Sequence, residues 1–295
     1  MPFFSRKNLY GYHFTLYPDL EVFFNATKTI GPKNFHDYIP HFKKLIKSRF
    51  VADFLTIEAQ KINETRDYDM LDQDIGMQIL NTPEYIINFG KLPKESFVEG
   101  NRPEAIGFES TMVSCNLGPG NIELEIYEVP KDQHLDIFDR SKIPTLKRKI
   151  VQKVGDFLTI NAGKEVVKVI GVDQDAFQIY MVSTEVQELV WHYHEKTLEP
   201  IYSTVGSPQI SRLQCVMMML ANLGSQKAVF TLKKLISAKE HFLRWSAIKT
   251  ILALNPTEGY PLLVDATNDP HPHVQKAATT TLALWSNLQH KESQK

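Results

Sequence analysis

Cysteine is scarce: 295 residues contain only Cys115 and Cys215, a hundred positions apart. No CxxC pair and no disulfide framework exists, so a reducing compartment is the default. Long hydrophobic runs are also missing. The longest, residues 215–221, is far short of the roughly 20 residues a membrane helix needs. The first seven residues, MPFFSRK, lack the apolar core of a signal peptide. These absences give the expectation of a cytoplasmic protein with no membrane partner. A charge surplus of one sign is absent too: the net charge of −1 excludes the broad basic field of a nucleic-acid binder. There is no GxSxG elbow, P-loop, GxGxxG turn or HExxH helix, so the usual grounds for naming an enzyme are missing and no catalytic residue is nominated.

What is present suits one large or two medium domains. The chain is 43% hydrophobic and 23% charged, enough to build a proper core. Its charge is uneven. Residues 206–295 hold 10 Lys/Arg and 5 Asp/Glu, against 23 and 29 in residues 1–205. That asymmetry suits a charge-complementary partner or an interdomain contact.

The pattern gives three stretches and an α+β expectation. Residues 1–104 read as a mainly helical N-terminal region. Between about 34 and 64, Phe42, Leu45, Ile46, Phe50, Phe54, Leu55 and Ala59 recur at helical spacing, for one or two helices. A Pro-punctuated segment with Tyr85, Ile86, Ile87 and Phe89 is left unassigned. Phe3, Phe4, Tyr10, Tyr12, Phe14, Tyr17, Phe23 and Phe24 make an aromatic N-terminus expected to pack on the β or helical part. Residues 105–205 change period. Ile122, Leu124 and Ile126 alternate with Glu123, Glu125 and Tyr127, as in a strand with one buried face. Further strands are expected at 111–115, 146–152, 156–161, 165–171, 177–183 and 187–193. With their Gly and Asp turns they describe a central antiparallel β-sandwich or barrel.

Residues 206–295 are helical and repetitive. Arg212, Arg244 and Gln275 share one register, 32 and 31 positions apart. Three positions on come Cys215, Ala247 and Ala278, all small; seven on come Met219, Ile251 and Leu282, all large and apolar. Ala228 aligns with Tyr260 and Leu232 with Val264 in a second helix, with breaks near Gly224, Pro256 and Pro270. This spacing puts one apolar stripe on each first helix and describes helix-turn-helix repeats. The segments at 242–247 (FLRWSA) and 269–278 (DPHPHVQKAA) resemble HEAT repeats of the short subtype known from phycobilisome lyases and bacterial adaptor proteins. Gln275 stands where that pattern has Arg. The resemblance implies C-terminal HEAT-like helical repeats. The β domain is expected to cap so short an array, and the methionine run Met217–Met218–Met219 to pack between repeats.

His192 and His194 are one residue apart, which on a strand gives one shared face. This is how cupin barrels present metal ligands. Trp191 and Tyr193 share the opposite face with Leu189, so a solvated strand end is the alternative. His134 and Asp136 form a second pair of this kind. The segment 154–163 (VGDFLTINAG) resembles the second conserved segment of cupin barrels, but Lys164 and Glu165 follow it where that family has a histidine. The resemblance implies a degenerate cupin-like barrel, unless His192 or His194 substitutes. Near 270, Asp269 is expected to cap a helix shaped by Pro270 and Pro272, with His271 and His273 facing solvent.

The leading functional expectation is a non-catalytic adaptor or assembly factor that binds another protein through the repeats and their junction with the β domain, without a cofactor. Arg212, Lys233, Lys234, Arg244 and Lys249 are its candidate contacts. The alternative is a cupin-type, oxygenase-like enzyme acting on a small molecule. It would take a divalent transition metal such as iron or zinc from the pool His134, Asp136, His192 and His194. A chromophore-lyase-like role ranks last, resting on the repeat type alone. Oligomeric state is not legible.

Overall fold

The computed structural model describes residues 16–64, 72–73, 76–97 and 105–292. The aromatic residues Phe3 to Phe14 lie outside them. The chain divides into two compact units, Met1–Gly206 and Ser207–Lys295.

The first unit is α+β. Among the described residues, three helices precede the strands: α1 (Pro18–Thr27), α2 (Phe35–Lys47) and α3 (Phe50–Glu64). Ser48 separates the last two. Its Oγ donates to Leu45 O at 2.7 Å and accepts from Phe50 N at 3.2 Å, ending one helix and starting the next. Twelve strands follow: β1 (Asp72–Gln73), β2 (Gly76–Asn81), β3 (Tyr85–Leu92), β4 (Ala105–Gly107), β5 (Ser110–Pro119), β6 (Ile122–Glu128), β7 (Thr145–Gln152), β8 (Phe157–Ile160), β9 (Glu165–Val172), β10 (Ala176–Val186), β11 (Leu189–Tyr193) and β12 (Pro200–Val205). They form two six-stranded antiparallel sheets, ordered β1-β2-β3-β10-β5-β8 and β12-β11-β4-β9-β6-β7. Successive strands such as β5 and β6, or β9 and β10, lie in different sheets, so the chain crosses repeatedly between layers.

One face of each sheet meets the other around Ile122, Leu124, Ile126, Leu158, Ile160, Val167, Val172 and Ala176. The second face of the β3–β10–β5 sheet packs Ile87, Val113, Cys115, Ile179 and Met181 against Leu20, Phe23, Tyr38, Phe42 and Phe54 of the helices. Tyr85 anchors that layer, with ring centroids 5.6 Å from Phe23 and 5.0 Å from Tyr38. The region expected to be mainly helical up to residue 104 is therefore corrected. β3 pairs residue by residue with β10, Tyr85 to Ser183 through Leu92 to Ala176, so the sandwich recruits strands well upstream of 105. Tyr85 and Ile87 are buried while Ile86 is only half so, the alternation of a strand with one core face.

The β5–β6 crossing depends on backbone proximity. A Cβ on Gly120 would lie 2.0 Å from Gln174 O, so only glycine fits. Fully buried Asn116 braces the same turn. Its Nδ2 donates to Gly120 O and Gln152 O at 2.9 Å, and its Oδ1 accepts from Gly118 N at 2.8 Å.

The second unit is helical: α4 (Pro208–Asn222), α5 (Val229–Leu232), α6 (His241–Leu254), α7 (Pro256–Asp265) and α8 (Pro272–Glu292). Ser207 caps α4 by accepting from Ile210 N. Asn255 caps α7: its Oδ1 accepts from Glu258 N at 3.2 Å and its Nδ2 donates to Glu258 Oε1 at 2.8 Å. Asn255 thus satisfies one open N–H at the start of a helix whose first residue is proline. Met217, Val229, Leu232, Leu243, Ala247, Ile251 and Leu254 form one core. Ile248, Leu252, Leu263, Val274 and Ala278 form the next. Gly259 of α7 lies directly on α6, where an added Cβ would stand 2.4 Å from Leu252 Cα. No helix among the described residues is long and apolar enough to cross a membrane.

Candidate functional site

The histidines nominated from the sandwich do not converge. On β11, Trp191 and Tyr193 are buried in a cluster with Ala105, Tyr127, Val166 and Leu198. Alternation therefore turns His192 away from them. Its ring stacks on Tyr202 of β12 (4.3 Å between centroids, 15° between planes), and its Nε2 is 3.1 Å from Thr204 Oγ1. β11 ends at Tyr193, so the shared face expected of His192 and His194 is lost. Exposed His194 instead braces the following turn, its Nδ1 accepting from Lys196 N and Thr197 N at 3.2 and 3.3 Å. His134 is exposed and Asp136 half-buried in the connection after β6. Among the described residues, these four side chains bring no three ligand atoms within 4.8 Å of one another; a different set does.

The sandwich interior supplies the physical reason. It is filled by the aliphatic residues named above. Glu165, beside the position where the cupin pattern has its histidine, is a structural ion. Its side chain is 2% exposed and faces Lys147 Nζ at 2.8 Å and Arg148 Nη1 at 3.4 Å. It also accepts from Asn161 N and Nδ2 at 3.0 and 3.1 Å. Burial opposes its ionisation, but Lys147 and Asn161 outweigh it and hold the carboxyl below its ordinary value. The adjoining cavity, lined by Gln133, Leu135, Gly163, Glu165, Trp191 and Tyr193 among others, has about 20 Å³. That is room for about one water, where a small-molecule site takes roughly 300–1,000 Å³.

In the helical unit, the register shows what covers each first helix. Ala247 and Ile251 of α6 are fully buried in the core that contains Met217 of α4. Ala278 of α8 is fully buried in the core that contains Ile248 and Leu252 of α6, with Leu282 packed on it. The register-equivalent Cys215 and Met219 of α4 are exposed. Met219, together with Leu223 one turn on, leaves 61% and 80% of its surface to solvent; Val216, Met218 and Phe230 are exposed as well. Of the methionine run expected to pack between repeats, only Met217 enters a core, because among the described residues of the unit only one side of α4 has a helical neighbour.

The candidate contact cations divide. Arg212 is exposed. Lys233 pairs with Glu258 at 2.5 Å in a half-exposed contact. Lys234 and Lys249 lie over the rings of Phe230 and Trp245, at 5.1 and 6.0 Å. Arg244 is not a surface group. Its Nε and Nη2 grip both oxygens of Asp269 at 2.8 and 2.6 Å, and its Nη1 donates to Ala238 O and Lys239 O. The two side chains are 11% and 8% exposed. Burial works against Asp269 ionising, yet Arg244 and the His271 N–H prevail and lower its pKa.

This clamp assembles the set of three. Asp269 Oδ1 also accepts from His271 N at 2.8 Å, fixing residues 269–273 against the start of α6. The expectation that His271 faces solvent is corrected: it is 8% exposed, and its ring stacks on buried His241 at 3.5 Å with planes 4° apart. Exposed His273 stands edge-on to both, with centroids 5.1 and 5.9 Å away. The ligand atoms of His241, His271 and His273 all lie within 4.8 Å of one another. Nitrogens on one tetrahedral zinc are about 3.4 Å apart, given Zn–N bonds of about 2.05 Å. A lone pair lies in its ring plane, so parallel rings cannot both address one ion, and ligation requires one ring to leave the stack. His271 Nδ1 accepts from His273 N at 3.2 Å, a contact worth about 1 kcal/mol. The N-termini of two helices oppose a cation by under about 1 kcal/mol each.

No family model matches the chain, and no curated protein matches its sequence. Among similar solved structures is the hydroquinone 1,2-dioxygenase of Sphingomonas sp. TTNP3, 11% identical with TM-score 0.28 over 38% of this chain. The Schizosaccharomyces pombe Cnp3 cupin domain is 14% identical with TM-score 0.25, also over 38% of the chain. A cupin-2 domain protein of Shewanella frigidimarina is 12% identical with TM-score 0.23 over 37%. The chain covers 66%, 66% and 80% of their own lengths, so the first two are spanned to just under two thirds. The neighbours are cupin proteins or enzymes, and at TM-scores this low the likeness carries no argument about the chemistry of this chain.

Proposed function

We propose that this protein is a non-catalytic adaptor or assembly factor that receives an amphipathic helix of another protein on the outer face of α4. One observation supports the reading above all: Cys215 and Met219 are exposed on α4, whereas Ala247, Ile251 and Ala278 at the same register are fully buried by the preceding helix. Within the helical unit no described helix precedes α4, and an exposed apolar helix face of this kind is a seat shaped for a helix. Methionine suits such a seat because its side chain adapts to different partners. Covering Met219 and Leu223 would contribute up to about 2 kcal/mol each. Lys227, Lys233 and Lys234 nearby in sequence favour a helix flanked by acidic residues. The resemblance to HEAT-like repeats, whose surfaces commonly bind proteins, agrees by analogy.

The second reading, a cupin-type oxygenase, draws on the two-sheet antiparallel architecture. The aliphatic interior and the dispersal of His134, Asp136, His192 and His194 weigh against it.

A photo-crosslinker attached to Cys215 tests the adaptor reading. The expected result is a specific adduct whose linked peptide is an amphipathic helix, abolished by Met219→Lys. The synthetic peptide should bind wild-type protein and not the variant. No adduct, or one indifferent to Met219→Lys, would overturn the reading.

A further inference from the structure

The geometry points to a metal site in the helical unit: we propose that His241, His271 and His273 bind one divalent late-transition ion, with zinc as the probe. The proposal does not depend on the adaptor reading. Its ligands come from two places, the first residue of α6 and the start of α8, with His271 just before it and His273 its second residue, and packing joins them. Among the described residues they are the one group of three metal-capable side chains whose ligand atoms lie within 4.8 Å of one another.

Three features favour an ion there. An all-imidazole set selects zinc, copper or nickel over magnesium or calcium, which prefer oxygen. The Arg244–Asp269 clamp, nearly buried on both sides, holds the His271 backbone beside α6 before any ion arrives, so the rearrangement on binding is confined to the rings. It also neutralises the guanidinium charge close to the site. His241 and His271 are buried while His273 is exposed, which gives an open path for the ion and leaves a coordination position for water or a partner's side chain. Binding turns one ring out of the stack and frees His271 Nδ1 or Nε2 to ligate, at the expense of the long contact from His273 N.

The test is equilibrium dialysis of the chelator-stripped full chain against Zn²⁺ near neutral pH, with elemental analysis of zinc per chain. One ion per chain is expected. Because losing even an outer-shell partner commonly weakens a metal site 10–100-fold, His273→Ala should weaken it by about 100-fold or more. His273 is exposed at a helix start, so the variant should keep its fold, checked by circular dichroism. His194→Ala should leave binding unchanged. Uptake should weaken in acid, since the ligands must be neutral. Zinc should raise the melting temperature of wild type and not of His273→Ala. Absence of stoichiometric uptake, uptake indifferent to His273→Ala, or uptake abolished by His192→Ala or His194→Ala would each overturn the proposal.

Discussion

Replacing Asp269 by Ala should open the helical unit locally far more than an ordinary surface change. The substitution removes both acceptors of the Arg244 fork and the acceptor of His271 N. It leaves a guanidinium whose side chain is only 11% exposed without the carboxylate that grips its Nε and Nη2. Losing one partner of a buried pair costs roughly 3–5 kcal/mol, mostly the penalty of the stranded charge. Residual exposure places this pair at about 3 kcal/mol. Native-state hydrogen exchange of peptides from α6 and α8 reads that opening directly, and about 3 kcal/mol corresponds to roughly 150-fold faster exchange. The pair-deletion variant Arg244→Met/Asp269→Ala should cost less than Asp269→Ala alone, because no charge remains stranded. The pH dependence has a definite sign. Asp269 titrates below its ordinary value in the folded chain, so its contribution is present above the unfolded carboxylate pKa of about 3.9. It is lost as pH falls through the folded value, and the wild-type advantage in urea midpoint should shrink there and not near neutrality. Exchange less than about 10-fold faster, or a double variant no better than the single, would refute the reasoning.

Register-equivalent positions should respond oppositely to truncation: Ile251→Ala should cost about 2–5 kcal/mol, since Ile251 is fully buried, while exposed Met219→Ala should cost under about 0.5 kcal/mol, both read by urea denaturation. A thiol reagent should modify Cys215 alone in the native chain. Cys115 is 2% exposed, and burial, helped by Asp156, pushes its thiol up to about 11, so it should react only after unfolding. Native labelling of both thiols would contradict the packing of β5. Gly259→Ala should lower stability by about 1–2 kcal/mol, because the clash with the Leu252 backbone exceeds the helix-propensity gain of about 1 kcal/mol. A stabilised variant would mean that α6 and α7 are not in such close contact.

What is legible in the sequence follows simple periods. The alternation at 122–128 and the Gly–Asp turn before 157 place β6 and β8 within a residue or two. The spacing of Ala247 and Ile251 places part of the buried stripe of α6, whereas Ala253, two positions past Ile251, is exposed. Residues 72–92 read as part of a helical region because Ile86–Ile87 interrupts clean alternation, and the strand's pairing partner, β10, lies ninety residues later. The metal pool fails for a local reason: same-face geometry for His192 and His194 requires a strand through 194, and β11 stops at 193. His241 escapes a reading by motif, yet the repeat register contains a signal. An offset of 31 aligns His241 with Pro272, which His271 and His273 flank, and contact between α6 and α8 brings those positions together.

Of the three positions in that register, only Arg244 is nearly buried. Arg244 pairs with Asp269, which lies six residues before Gln275. The carboxylate therefore comes from the following helix pair. Gln275 itself is exposed. For Arg212 the corresponding position, six before Arg244, is Ala238, and Arg212 is exposed. Introducing the missing acid offers a direct check. In a double-mutant cycle with Ala238→Asp and Arg212→Ala, the coupling should be favourable by up to about 1 kcal/mol, the range of exposed pairs, and should fade in high salt. Zero coupling, or an Ala238→Asp effect that persists without Arg212, would mean that the arginine register reflects packing of its aliphatic stem and not an acid supplied by the next pair.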